Sequence, residues 1–428
     1  MSTAASPAAS VKPVRGATAT LVLLFVLYVL NYMDRNVMGA VADQMKADLS
    51  LSDTELGLLQ TLFLVCVAIF ALPASFLVDR WSRRKAIVAM AVVWSAATAG
   101  TGLAAGFTLL LVARTVVGVG EAGYSPAGTA ILSTAYPPDR RAKVLGLFFM
   151  AMPIGAALGT VLGGVLAGRS GSWTTPFLVF GAAGVLVGLA VLLLPDYPAP
   201  RTAQPVAFGS AIATLVRIPT LRWTYLAFGM NAFISSATLA WLAPYLGRVH
   251  GLDVAAAAKK AGLVFALALV GSPLGGYLGD RWARSHPSGR YFSCVTTSAL
   301  SAVFLFAGIA LGASPLGFGC LLLSGLFIVA YLPPAGAATQ DVTPPGLAAT
   351  AWGIAVLSGF LLGGAYSPVV VGKISDVLGS LSVALMVVPV AGILAAALFA
   401  LAARTYEADR TRAAALRAAI PSSSAPPA

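Results

Sequence analysis

The chain has 428 residues, of which 58% are hydrophobic and only 10% charged, with a formal net charge of +12. A soluble protein carries about 25% charged residues, so the composition excludes a soluble globular domain. The aliphatic runs are long and unbroken, which excludes the alternating strands of an outer-membrane barrel.

Taken in order, the sequence opens with an N-terminal tail, 1–16, rich in Ala, Ser and Pro. Twelve apolar spans follow, each near the length of about 20 residues that a bilayer requires. They are predicted at 17–43, 54–78, 86–105, 107–133, 143–167, 174–195, 221–246, 258–279, 291–312, 316–339, 347–371 and 380–403. The first is too long for a signal-peptide core and leads into Asp34 instead of a cleavage site, so it is read as a retained helix. The expected fold is an all-α polytopic membrane protein of two six-helix bundles, 17–196 and 221–403, joined by a linker over 197–220 and followed by a tail over 404–428. The linker is rich in proline, and the tail is basic before it becomes rich in Ser and Pro.

The charge is distributed unevenly. One set of loops and the two tails carry 19 of the 27 Lys and Arg residues, and the opposite loops carry 6. By the positive-inside rule both termini are cytoplasmic, in an inner or plasma membrane. The basic excess is therefore topological, and no nucleic-acid partner is implied. Cys66, Cys294 and Cys320 are scattered through apolar segments without disulfide or metal spacing. No metal cluster, nucleophile–base pattern or nucleotide loop is visible, so neither a cofactor nor an enzymatic activity is expected.

The second half repeats the first. Ser75-Phe76-Leu77-Val78-Asp79-Arg80-Trp81-Ser82-Arg83 matches Gly276-Tyr277-Leu278-Gly279-Asp280-Arg281-Trp282-Ala283-Arg284, and Gly163-Gly164 recurs as Gly363-Gly364. Pro137-Pro138 likewise recurs as Pro344-Pro345. Parallel repeats with a site between the halves are an architecture of secondary transporters.

Within the first span lies Asn31-Tyr32-Met33-Asp34-Arg35. A charge at mid-bilayer costs at least about 2.5–3.5 kcal/mol, so two adjacent charges need partners on other helices or in a water-filled cavity. Snorkelling to a helix end is the alternative. In the fourth span Arg114, Gly118, Glu121 and Ser125 share one helical stripe. Asp34, Arg35, Arg114 and Glu121 are predicted to form one network, with Asp34 and Glu121 as the proton-coupling carboxylates and the two arginines balancing them. The alternative is a static set of ion pairs that holds the two helices together.

The loop at Ser75…Asp79-Arg80…Arg83-Arg84-Lys85 resembles the signature of the major facilitator superfamily, with Ser75 where that pattern has glycine. Asn-Tyr-x-Asp-Arg joined to Gly120-Glu121-Ala122-Gly123-Tyr124-Ser125 resembles the Spinster-type branch. That resemblance implies a secondary active transporter working by alternating access, proton-coupled, for a lysophospholipid-like or other amphiphilic solute. The other reading is a proton symporter or drug/proton antiporter for small organic anions or drugs. It also implies a cytoplasmic gate of Asp79, Arg80, Arg83, Arg84, Asp280 and Arg281, which closes against the start of the eleventh span, and it agrees with a monomer surrounded by membrane lipid. Candidate cavity residues are Asn31, Gln60, Phe63, Ser125, Asn231, Ser235, Thr238, Tyr331, Ser358 and Tyr366, each of which could equally be helix–helix glue. Gly155, Gly159 and Gly163 form a small-residue face, suited either to a hinge or to tight packing.

Overall fold

Backbone polar groups in lipid must be satisfied within their own segment, and a helix does this. The computed structural model describes residues 14, 16–196, 208–345 and 347–418, leaving out the side chains of 72, 75–77, 79–80, 138–139, 142, 208–211 and 349. All regular structure among the described residues is helical. Twelve membrane-spanning helices result: α1 (Ala17–Leu49), α2 (Asp53–Arg80), α3 (Arg83–Gly102), α4 (Phe107–Ala135), α5 (Lys143–Ser170) and α6 (Thr174–Leu193) in the first half. The second half holds α7 (Pro219–His250), α8 (Val254–Ala283), α9 (Gly289–Ala310), α10 (Pro315–Val342), α11 (Thr350–Leu378) and α12 (Leu381–Ala418). The side on which α1 begins and α12 ends is termed terminal, and the opposite one distal.

Two boundaries depart from the sequence reading. The linker predicted at 197–220 contains a helix, Phe208–Val216, and α7 already begins at Pro219. The predicted tail from 404 continues α12 as helix to Ala418. Hydropathy falls at Arg404, but Ala402, Tyr406, Asp409 and Ala413 form a buried stripe that packs on the second half outside the apolar span. The Asp409 carboxylate accepts from the Thr220 N–H at 3.0 Å, capping α7, and Tyr406 donates to Asp341.

Several spans are interrupted midway. Turns fall at 122–123 in α4, 150 in α5, 267 in α8 and 328–331 in α10. A π-helical turn, Phe360–Gly364, interrupts α11. Such breaks let a long helix bend without leaving backbone groups unpaired.

The apolar core has three parts. One cluster belongs to the first half alone, with Trp94, Tyr124 and Phe148 at its centre. A second belongs to the second half, around Tyr291, Phe399 and Tyr406. The third runs across both halves at the distal end, from Val37 and Met45 of α1 through Leu56 of α2 to Trp241 and Tyr245 of α7 and Val371 of α11. The two halves are thus fused by packing at the distal end and hold separate cores toward the terminal side. Glycine sets how closely they meet. A Cβ at Gly372 would stand 2.2 Å from the Asp53 carbonyl oxygen, and one at Gly57 would stand 2.4 Å from that of Pro368, so α2 and α11 touch backbone to backbone. The small-residue face of α5 serves tight packing in the same way, with Gly155 on Val29 and Tyr32, Gly159 on Met33 and Gly163 on Val37, alongside the charged stretch of α1.

Candidate functional site

Adjacent residues on a helix diverge by about 100°, and α1 uses that divergence to send Asp34 and Arg35 to different neighbours. Arg35 turns toward α2 and α4, where its Nε donates to Glu121 Oε2 at 2.6 Å. Its guanidinium also lies over the rings of Tyr32, at 4.7 Å, and Phe63, at 5.5 Å. Glu121 ends the first helical piece of α4, where the helix dipole disfavours an anion and a cation compensates. Asp34 turns the other way. Its carboxylate is wholly buried and accepts from the Thr98 hydroxyl of α3 at 3.2 Å.

Arg114 joins the two sides. Its guanidinium donates to the Gln60 side-chain oxygen at 3.0 Å and to the Asp34 main-chain carbonyl at 3.4 Å, and it lies 4.7 Å from the Phe63 ring centre. Phe63 therefore lies against both arginines. Asn31 is buried beside the Glu121 carboxylate. The four charged residues predicted as one network do lie together, with two acids matched by two cations. The connectivity differs from the prediction: Arg35–Glu121 is the direct ion pair, and the Asp34 carboxylate is held by α3 rather than α4. Neither Asp34 nor Arg35 snorkels, since Asp34 is fully buried and the Arg35 side chain is only 14% exposed.

The cavity candidates divide by exposure. Gln60, Ser125, Ser235 and Ser358 are partly exposed, and Tyr366 is 46% exposed. Asn31, Phe63, Asn231, Thr238 and Tyr331 are buried to 5% exposure or less and line no open surface in this state. The reason is local in α7, where the Asn231 amide donates to the Ala227 carbonyl and the Thr238 hydroxyl to the Ile234 carbonyl, each one turn back on its own helix. The Tyr331 ring packs against Phe228 and Phe399 inside the second half.

Of the residues predicted as the gate, Arg83, Arg84 and Asp280 make their described bonds within their own halves. Arg83 donates to the Ala130 carbonyl and the Thr134 hydroxyl, and Arg84 to the carbonyls of Leu192 and Leu194. Asp280 meets Arg290 at 3.4 Å, and Arg281 is exposed. The side chains of Asp79 and Arg80 lie outside the described residues. The predicted contact of this loop with the start of α11 rests on Asp79 and so lies outside the described residues.

Sequence reasoning missed a second charged cluster, at the distal end. Arg248 of α7 donates to Asp43 at 2.7 and 2.8 Å and to Asp53 at 2.7 and 2.8 Å. Lys46 and Ser375 also donate to Asp53, each at 2.7 Å. Among the described residues, every hydrogen bond and ion pair between the halves lies in this region. The available signal was four acids, Asp43, Asp48, Asp53 and Glu55, within thirteen residues, with Arg248 ending a span on the same side.

With this geometry in hand, known proteins can be compared. The family model of the Major Facilitator Superfamily matches residues 24–368. Protein spinster homolog 1 of Homo sapiens is 29% identical over 94% of this chain and 83% of its own length. An MFS-type efflux pump of Mycolicibacterium smegmatis is 30% identical over 85% of each chain. Among solved structures, a bacterial homolog of the human lysosomal transporter Spinster, in an inward-facing and unoccupied conformation, aligns with a TM-score of 0.84, 25% identity, and coverage of 92% of this chain and 98% of that one. A D-xylose-proton symporter, 16% identical, shares the fold with a TM-score of 0.73 over 89% of this chain and 97% of that one. Twelve spans in two repeated halves, a charged cluster within α1 and α4, and a family match over most of the chain lead to one statement: the chain belongs to the Major Facilitator Superfamily of transporters and is Spinster-like within it.

Proposed function

We propose that the chain is a proton-coupled secondary transporter for an amphiphilic solute with an anionic or polar head, of the lysophospholipid type, and that the terminal side is cytoplasmic. The observation that carries the proposal is the Arg35–Glu121 ion pair at 2.6 Å, buried among helices of the first half with the Arg35 side chain 14% exposed. A carboxylate balanced by one arginine responds to any movement of that arginine. If the solute head engages Arg35, Glu121 loses its partner in a place of low dielectric and takes up a proton. Release of the solute restores the pair and expels the proton. Asp34, held by Thr98 on the opposite face of α1, stays outside this exchange. Proton transfer is therefore assigned to Glu121, with Arg35 as its switch and Arg114 holding the Asp34 backbone and Gln60 in register.

The amphiphile reading draws support from the partition of polarity. The charges sit in the first half, and the middle of each second-half span carries no ionisable acid or base. A small-molecule or drug substrate is the second reading, favoured by the 30% identity to an efflux pump.

Reconstitution in proteoliposomes tests both. Glu121→Gln should abolish uptake driven by an imposed pH gradient while solute exchange at equal pH persists; undiminished pH-driven uptake would overturn the assignment. Competition by lysophospholipids that strengthens with acyl-chain length supports the amphiphile, and competition by small carboxylates or drugs alone supports the second reading.

A further inference from the structure

The first turn of a helix carries N–H groups without intrahelical partners. In α2, Ser52 and Glu55 satisfy part of that need in a reciprocal box: the Glu55 N–H donates to the Ser52 hydroxyl at 3.1 Å and the Ser52 N–H to the Glu55 carboxylate at 2.8 Å. The N–H groups of Asp53 and Thr54 remain. Both donate to one carboxylate, Asp376 of α11, at 3.0 and 2.7 Å, and the Thr54 hydroxyl donates to it at 2.5 Å. The cap of a first-half helix is thus supplied by the second half. Beside it, Arg248 engages Asp43 and Asp53 with both edges of its guanidinium. Asp53 is 2% exposed and accepts from Arg248, Ser375 and Lys46, of which only Lys46 belongs to its own half.

We infer that Asp376 and Arg248 form a two-part latch, one part a helix cap and the other an ionic fork, that must release before the distal side opens. The inference rests on the alternating-access reading above. Parting α1 and α2 from α7 and α11 removes two backbone caps from α2, leaves Asp53 with Lys46 alone and strips Arg248 of both carboxylates. These losses occur together because the partners lie in one seam, closed backbone to backbone at Gly57 and Gly372. The two arms of the fork should respond differently to salt. The Arg248 and Asp43 side chains are 25% and 34% exposed, and a cavity of about 260 Å³ lined by Asp43, Arg248 and Asp253 reaches them, so mobile ions screen this pair. The bonds to the buried Asp53 are shielded from it.

The test is a spin-label distance across the distal face, between Ala47→Cys and Val377→Cys in a Cys320→Ser background, in full-length protein in liposomes. Both label sites are exposed. The wild type should show a dominant short distance. Arg248→Gln and Asp376→Ala should each raise the ratio of long to short distances at least about tenfold, the scale expected for losing charge-assisted bonds. Asp376→Asn keeps an acceptor for the α2 N–H groups and should give a smaller shift. Molar salt should shift the wild type more than Arg248→Gln, which lacks the screened Arg248–Asp43 pair. Identical distributions in the wild type and in monodisperse variants would overturn the latch. If the wild type nevertheless shows both distances, alternating access stands without the latch. One short distance in every variant, including Gly372→Leu, overturns the latch and alternating access together.

Discussion

At the distal end Arg248 grips two carboxylates of the opposite half, and apolar packing runs without interruption from α1 to α11. At the terminal end the charged side chains are more numerous, but the described bonds of Arg83, Arg84 and Arg290 lie inside the half that bears them. The same chemistry therefore does opposite work. Bonds made across a seam resist separation of the halves, and bonds made within a half stiffen a body that can move as a unit. The two capped helices show the contrast in small. Asp409 caps α7 from within its own half, and nothing in a rigid-body motion disturbs that cap, whereas Asp376 caps α2 across the seam and must let go.

Substitutions can break this contrast or sharpen it. The largest effect is expected at Arg35→Gln, which leaves Glu121 buried without its cation and should cost about 3–5 kcal/mol unless the acid takes up a proton. Thermal unfolding should show that loss, and Arg35→Gln with Glu121→Gln should recover much of it. Next is Gly372→Leu, whose side chain would meet the Asp53 backbone; overpacking of this kind costs about 1–3 kcal/mol and should fall on the distal-closed state alone, so that the spin-label distance between positions 47 and 377 lengthens while each half stays folded. Thr98→Val removes the donor to Asp34 and should lower stability by about 1–3 kcal/mol, or by less if Asp34 protonates, with the pH-driven step of transport intact. The smallest effect is expected at Asp280→Asn on the terminal side, where the acid is 66% exposed; stability should stay within about 0.5 kcal/mol. A large loss there would mean that terminal charges also hold the halves together.

Much of the architecture was legible from hydropathy alone, because a bilayer forces length and apolarity on every span. The burial of Asp34, Arg35, Arg114 and Glu121 was legible for the same reason, since charges in such spans must find each other. Their wiring was not. Whether Asp34 faces α3 or α4 depends on the rotation of α1, which the close approach of Gly155, Gly159 and Gly163 helps to set, and a polar residue in α3 such as Thr98 gives no warning that it will be the partner. The distal cluster was hidden for another reason. Lys46 and Arg248 read as topological charges, and Arg248 lies 205 residues from Asp43, so only the docking of the two halves shows that they meet. Polarity also overstated the cavity wall: Asn231 and Thr238 spend their hydrogen bonds on their own helix, and Tyr331 turns inward.

The extension of α12 past the apolar span has a practical consequence. Arg417 donates to the carbonyls of Gln340, Asp341 and Thr343 at 2.6, 3.2 and 3.0 Å, which ties the last turn of this helix to the end of α10. The helix is a stiff handle continuous with one lobe of the carrier. A fluorescent protein or an antibody epitope joined after Ala418 without a flexible spacer would be fixed to that lobe, so that orientation of a dye in a single molecule would report any movement the lobe makes.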